Sequence, residues 1–364
     1  MLHATIVKWI IGACTSLRLS QRKTLGELVF GAMRCRRVSI AEIGRSLGSK
    51  ALTKHCIKRV YRFLSNTRIE AAQACEALIA LAARRARGHL FVAVDWTDIR
   101  NYKVLKASVP LGGRGVPVLF AAYRKWELFR SQNAFEEGFF RLLAALLPWG
   151  VQVVILADAG FARTELMRTL QELGLSYVIR TRLDVWFASE RWRGRLDDLP
   201  IRRGSHKELG FGAYRKSRPL RQRVIFWWKP KQQEPWFLAT DLDWGWRKVC
   251  SAYGLRMQIE ELFRDHKSLR YGWGLRQIEL SEPGRLERLL LVLAFAYLCL
   301  VLMGLASERR FPHSYWASAT SPGKRQASVF FIGRLMQHRY RFPLRELLQL
   351  FAAQLARIIE ENWG

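Results

Sequence analysis

Up to Gly88 the apolar residues recur at helical spacing; beyond it they run together in short blocks, and the predicted elements change with them. Ser39 to Leu47 predicts a short amphipathic helix, with Ser39 placed as its cap and Glu42 three residues on. Gly48-Ser49-Lys50 makes a turn, and Leu52 to Leu64 predicts a second helix. His89 to Val94 predicts a buried strand ending in Asp95-Trp96-Thr97-Asp98. Lys103 to Ala107 and Val116 to Tyr123 predict two more strands, turned through Gly112-Gly113-Arg114-Gly115. Ser131 to Leu147 predicts a helix capped by Ser131 and stopped by Pro148. Val151 to Ala157 predicts a fourth strand ending in Asp158-Ala159-Gly160, Arg163 to Leu173 a helix, and Ser176 to Thr181 a fifth strand.

Three strands, a helix, then alternating β and α is the order of an RNase H-like α/β fold. Residues 182–243 interrupt it with short alternating segments at Val185–Ala188, Gly212–Lys216, Arg223–Lys229 and Trp236–Thr240, which predict a β-rich insertion. A helix from about Trp246 to Arg270 follows and breaks at Tyr271-Gly272-Trp273-Gly274. The expected organisation is a helical basic DNA-binding region over 1–88, the first part of the core over 89–181, the insertion over 182–243, and the rest of the core over 244–310. A C-terminal helical region over 311–364 ends in a helix from Pro343 to Asn362.

Charge narrows the function. The formal net charge is +30, with 60 Lys and Arg against 30 Asp and Glu, and the excess is spread along the chain. That implies a polyanionic partner, nucleic acid first and an anionic membrane surface second. Residues 1–88 hold 17 of the cations against 4 acids. The predicted second helix carries Lys54, His55, Lys58, Arg59 and Arg62, so helix, turn and basic helix read as a helix-turn-helix with the second helix in the major groove. A plain helical hairpin has the same pattern.

The six cysteines include no C-x-x-C pair, which points to reduced thiols in a cytoplasmic protein rather than zinc. Met1 to Cys14 is broken by Lys8 and lacks the form of a signal segment. Leu289 to Ser307 is uncharged and long enough to span a bilayer. It is the only such stretch and follows a predicted core helix, so a helix buried on all sides is expected, with no membrane partner.

Within the helix from Trp246, about 100° per residue brings Tyr253, Arg256, Glu260 and Lys267 within roughly 60° of one another. Leu255, Ile259, Leu262, Phe263 and Leu269 fall on the opposite, buried side. A carboxylate among cations suits a divalent ion and phosphate oxygens. An ordinary amphipathic helix, with Glu260 paired to Arg256 or Arg264, has the same pattern. Asp95 and Asp158 each end an apolar strand, and the first and fourth strands of an RNase H-like sheet are neighbours. With Glu260 they make a set for two Mg²⁺ ions, Mn²⁺ being the alternative. Asp98 rivals Asp95, Glu261 rivals Glu260, and Asp241 and Asp243 have the positions of turn or cap residues.

The spacing Tyr253, Arg256, Glu260, Lys267 resembles the Y-R-E-K motif of IS4-family DDE transposases, and Asp95-Trp96-Thr97 matches that family's Asp-x-Thr. The resemblance covers nearly the whole chain. It implies that Asp95, Asp158 and Glu260 are the metal-holding catalytic triad and that Tyr253, Arg256 and Lys267 grip backbone phosphates. Trp236, in Pro235-Trp236-Phe237-Leu238-Ala239-Thr240, resembles the insertion tryptophan on which a flipped base stacks. A core strand tryptophan is the alternative, with Trp227 and Trp228 as competitors. The family's second aspartate is often followed by Arg; here it is Ala159, and Arg163 or Arg180 is expected to supply that contact. The implied activity is cleavage and strand transfer of double-stranded DNA at terminal inverted repeats, through hairpin ends, by a dimer on DNA. A metal-dependent nuclease, or a copy that binds DNA without cutting, remains open.

Overall fold

The structure is a computed structural model that describes residues 2–84, 86, 88–312, 315–316, 327–337, 346–347, 349 and 353. Six helices come first: α1 (Leu2–Ala13), α2 (Leu19–Arg34), α3 (Ile40–Arg45), α4 (Thr53–Ser65), α5 (Ala71–Ala74) and α6 (Glu76–Ala83). The expected alternation follows as β1 (His89–Ile99), β2 (Tyr102–Leu111), β3 (Arg114–Arg124), α7 (Gln132–Leu146), β4 (Gln152–Ala157), α8 (Thr164–Glu172) and β5 (Leu175–Arg180). Then come β6 (Trp186–Ala188), β7 (Arg193–Arg195), β8 (His206–Tyr214), β9 (Leu220–Trp227) and β10 (Trp236–Thr240). The chain continues through α9 (Trp246–Leu255), α10 (Met257–Lys267), α11 (Pro283–Arg310) and α12 (Val329–Met336). The expected helix from Pro343 to Asn362 falls largely outside the described residues.

Two compact units share these elements. The first holds Met1–Ala86, Trp96–Phe129 and Gln258–Ile358; the second holds Arg87–Asp95, Arg130–Met257 and Ile359–Gly364. Strand β1 belongs to both, and the ten strands form one sheet. In the first unit the strand order is β3-β2-β1; in the second it is β1-β4-β5-β10-β9-β8-β6-β7. This mixed α/β architecture is consistent with an RNase H-like core. The residues read as an insertion add their strands to the core sheet: β10 pairs antiparallel with β5, and β9 with β10. The short strand β7 has no apolar alternation that a sequence pattern would reveal.

In the first unit, Ser39 caps α3 by accepting from the Glu42 N–H at 3.0 Å. α3 and α4 cross closely: a Cβ on Gly44 would lie 2.7 Å from the Ile57 Cα. Helix α4 buries Cys56, Val60, Phe63 and Leu64 and exposes Lys54, Lys58 and Arg62, while Arg59 is half-buried. The β2–β3 turn uses Gly112 at φ 59° and Gly113 at φ 82°, values a residue with a Cβ rarely adopts. In α7, Ser131 holds the N-cap position but makes no side-chain cap bond.

Helix α11 is long and apolar enough to cross a membrane, and its apolar window is wholly buried inside the protein. Its neighbours are α2, α4, α12 and β3. Phe295 meets Trp9, and Tyr297 stacks on Phe330. Even the charged front of the helix is tied in. Glu287 accepts from the Ala122 N–H at 2.8 Å, and Arg288 donates from Nε to the Leu64 carbonyl at 2.6 Å. The six cysteines are free and buried.

Candidate active site

The site begins with two apolar strands that run side by side. β1 and β4 pair parallel from His89↔Gln152 to Ala93↔Leu156. That pairing ends at Ala93↔Leu156, and two residues further along each segment stand Asp95 and Asp158. Asp95 lies within β1, which runs four residues beyond it, so it stands two residues past the β1–β4 pairing and does not, as expected, end the strand. Asp158 leaves β4 and caps a single 3₁₀ turn, its Oδ1 accepting from the Gly160 N–H at 2.9 Å. A Cβ on Gly160 would stand only 3.0 Å from that oxygen, so glycine lets the carboxylate fold back on its own loop.

The expected helix from Trp246 to Arg270 is two helices, broken at Arg256, where the backbone stays right-handed. Neither Tyr253 nor Arg256 lies on an open face: they are 2% and 8% exposed. The Arg256 guanidinium donates from Nη1 to Asp95 Oδ2 at 3.2 Å and lies 5.7 Å from the Tyr253 ring. Burial pushes the Tyr253 phenol up; Arg256 and Arg180 oppose the shift and Asp158 adds to it. All three charges are therefore within electrostatic reach of one buried phenol. Trp236 is half-buried with its ring 4.8 Å from Tyr253. Arg180 reaches Glu234 at 2.7 Å on an exposed edge.

Asp95, Asp158, Arg180, Trp236, Tyr253 and Arg256 thus come together in the second unit. Glu260 and Lys267 lie on the part of α10 that belongs to the first unit. Glu260 is half-buried in the helix's first turn, and the Lys267 ammonium stands 5.5 Å from the Phe263 ring. On the face expected to be buried, Ile259 and Leu262 are buried, Leu255 and Phe263 are half-buried, and Leu269 is exposed.

Among the described residues no group of three or more His, Cys, Asp or Glu is placed to hold a metal ion. Asp95 is paired with the Arg256 guanidinium. The donor chemistry still fits. Two carboxylates, each two residues past the β1–β4 pairing, are hard oxygen ligands of the kind Mg²⁺ takes.

The rivals have other duties. Asp98 is exposed and pairs with Lys125 at 3.3 Å. Glu261 pairs with Arg114 and Arg264. Asp241 accepts from the Tyr177 N–H, and Asp243 pairs with Arg223. Arg163 is tied to buried Glu136 at 2.6 Å and to Asn133, which leaves Arg180 as the better-placed cation of the two named for a phosphate. Trp228 donates its Nε1 proton to the Gln232 carbonyl.

In the first unit, Lys58, Arg59 and Arg62 line one groove together with His55, so the cations expected on the second helix converge.

Sequence reasoning missed a buried charged cluster in the first unit. Lys106, 1% exposed, places Nζ 3.0 Å from His266 Nδ1, and Arg114 pairs with Asp265 at 2.8 Å. Tyr297 donates to the same Asp265 oxygen, Oδ2, at 2.8 Å. The one signal for it was a lysine between apolar neighbours, Leu105 and Ala107, in a strand whose other cation is Lys103. Burial pushes the Lys106 pKa down from 10.5 to about 7, with Lys267 adding to the push. Between those values the unfolded chain holds a proton the folded chain lacks, so stability rises with pH through that window, and the penalty is full below it. Burial also raises the Asp265 carboxyl, from 3.8 to about 6, and there stability falls as pH rises. The two windows do not overlap. Between pH 7 and pH 8 the urea midpoint is therefore expected to gain more in the parent than in Lys106→Met, which should be the more stable protein at pH 7; at higher pH the buried Cys14, Cys35, Cys250 and Cys299 thiols, pushed up from 9.0 to about 12, oppose the gain in both. Equal slopes in both proteins would contradict the assignment.

Residues 131–299 match the family model of the transposase DDE domain. The match supports a DDE transposase. It takes in β4, β5, the strands β6 to β10, α9, α10 and α11 to Cys299, and with them Asp158 and Glu260. Asp95 precedes it. No curated protein matches the chain.

Proposed function

We propose that the protein is a DNA transposase of the IS4 type, which binds the terminal inverted repeats of its element, cuts there, and joins the freed end to target DNA. The observation that supports this reading is the parallel β1–β4 pair, with Asp95 and Asp158 each two residues past its last paired position, in a chain whose residues 131–299 match the DDE domain. Asp95, Asp158 and Glu260 are the ligands in this reading. Divalent ions held by them would supply activation of the attacking oxygen and stabilisation of the leaving one.

The chain's own residues set the stage. Arg256 fixes the Asp95 carboxylate from the buried side, and Tyr253 is the floor against which Arg256 and Trp236 rest. Trp236 offers its ring to a base displaced from the duplex, which is the step a hairpin end requires. Arg180 and Lys267 take backbone phosphates, and Lys54, Lys58, Arg59 and Arg62 on α4 hold the repeat. Two subunits would pair two ends. Because the Lys267 ammonium neutralises a single phosphate, Lys267→Ala is expected to weaken binding to the end and lower its log–log salt slope by about one unit. An unchanged slope would remove Lys267 from the interface.

The deciding experiment compares the parent with Glu260→Gln on a labelled duplex carrying the terminal repeat, with Mg²⁺. Nicking followed by hairpin and joined product in the parent alone is the expected result. Nicking without joining would make the protein a nuclease. Binding by both proteins with cleavage by neither would make it a DNA-binding copy.

A further inference from the structure

The antiparallel registers of β8, β9 and β10 put His206 opposite Trp227 and Trp227 opposite Trp236, a row of three rings across one face of the second unit. The first turn of α9 adds a fourth, Trp246. It stacks on His206 at 3.9 Å and meets Trp227 at 5.8 Å. Trp227 and Trp236 are 5.7 Å apart, and Trp236 meets Tyr253 at 4.8 Å. From there Arg256 leads to Asp95. The rings therefore form a continuous path from β8 to the Asp95 carboxylate.

Three properties separate this path from ordinary packing. Its indoles are half-buried, each keeping part of its surface open, where a packing cluster would bury them fully. Long, flexible cations lie over them, beside the His206 ring that covers one face of Trp246. Lys229 lies 4.4 Å from Trp227 and 5.7 Å from Trp236, and Arg247 lies 4.9 Å from Trp246. Both cations are exposed. A nucleotide brings a flat base for each ring face and a phosphate for each displaced cation, which is how sequence-tolerant single-strand sites are built.

We infer that Trp236, Trp227 and Trp246 form a track for unpaired DNA, one base to each indole, that receives the strand opened next to the cut. The inference rests on the transposase reading and extends it from a single stacked base to a run of about three. A purely structural role for Trp246 would affect every DNA substrate alike; a track makes its effect depend on tail length.

The test measures binding of the parent, Trp246→Leu and Lys229→Ala to terminal-repeat duplexes that are blunt or carry one or three unpaired thymidines at the cut end, with each strand tailed in turn. Stacking of about 1–3 kcal/mol per base predicts at least a fivefold gain for the first unpaired base and a further gain for three. Trp246→Leu should keep the first gain and lose the last. Lys229→Ala, an exposed position that leaves the fold standing, should weaken tailed substrates and flatten their salt dependence. A parent that binds and nicks the blunt repeat yet gains nothing from a tail overturns the track and leaves the transposase reading intact. So does a Trp246→Leu protein that keeps the full three-base gain. A parent that neither binds nor nicks the repeat overturns both.

Discussion

Asp158→Asn is expected to leave the fold intact and to lower the DNA cleavage rate by roughly 10³-fold, measured with Mg²⁺ on a labelled terminal-repeat duplex. A metal-held carboxylate contributes several kcal/mol to stabilising a transferring phosphoryl group, and each 1.36 kcal/mol is a decade of rate. The substitution isolates that contribution because the side chain's structural task survives. Asn still presents an Oδ1 that can accept from the Gly160 N–H, so the turn after β4 keeps its cap. Asp95→Asn is a less clean experiment. It takes the charge from a carboxylate paired with the buried Arg256, and weakening a buried ion pair costs stability as well as activity. Comparable loss of cleavage in both variants, with a lowered unfolding midpoint in Asp95→Asn alone, is the expected pattern. Cleavage by Asp158→Asn at the parent rate would sink the assignment of the Asp95–Asp158 pair.

The residues that a local pattern governs were legible in the sequence. Ser39 caps the helix it was expected to cap, the two glycines at 112 and 113 turn the hairpin, and the apolar run into Asp158 is a buried strand. What could not be read depends on partners far along the chain. A helical projection places Tyr253 and Arg256 on one side of α9 but says nothing of what covers that side; Trp236 and Asp95 cover it. The alternation in Trp236 to Thr240 marks a strand but not its neighbour. Only the pairing with β5 shows that the sheet continues into residues that seemed to interrupt it. Lys106 looked like one of many surface cations in a chain of net charge +30, yet it is fully buried on His266. Helix α12 was missed although its signal was present: Ser328 precedes Val-Phe-Phe-Ile and accepts from the Phe331 N–H.

Helix α12 matters because of how closely it crosses α11, and two glycines make the sharpest stability prediction. A Cβ on Gly304 would stand 1.8 Å from the Val329 carbonyl oxygen, and one on Gly333 would stand 1.9 Å from that of Leu300. Each glycine thus lies against the backbone of the other helix. A backbone atom cannot turn aside as a side chain can, so Gly333→Ala must drive the helices apart. Overpacking of this kind costs about 1–3 kcal/mol and occasionally more. Here it also opens the stack of Phe330 on Tyr297, so the upper end or beyond is expected from urea unfolding. Gly138→Ala, inside α7 with nothing within 4 Å of the new methyl, should do the reverse and stabilise by about 0.4–1 kcal/mol. Opposite signs for the same chemical change test the crossing itself and not helix propensity. The consequence reaches the site through Tyr297, whose hydroxyl holds Asp265 on α10, the helix that carries Glu260 and Lys267. Gly333→Ala should therefore weaken DNA cleavage even at temperatures where the protein stays folded, while Gly138→Ala should leave it unchanged.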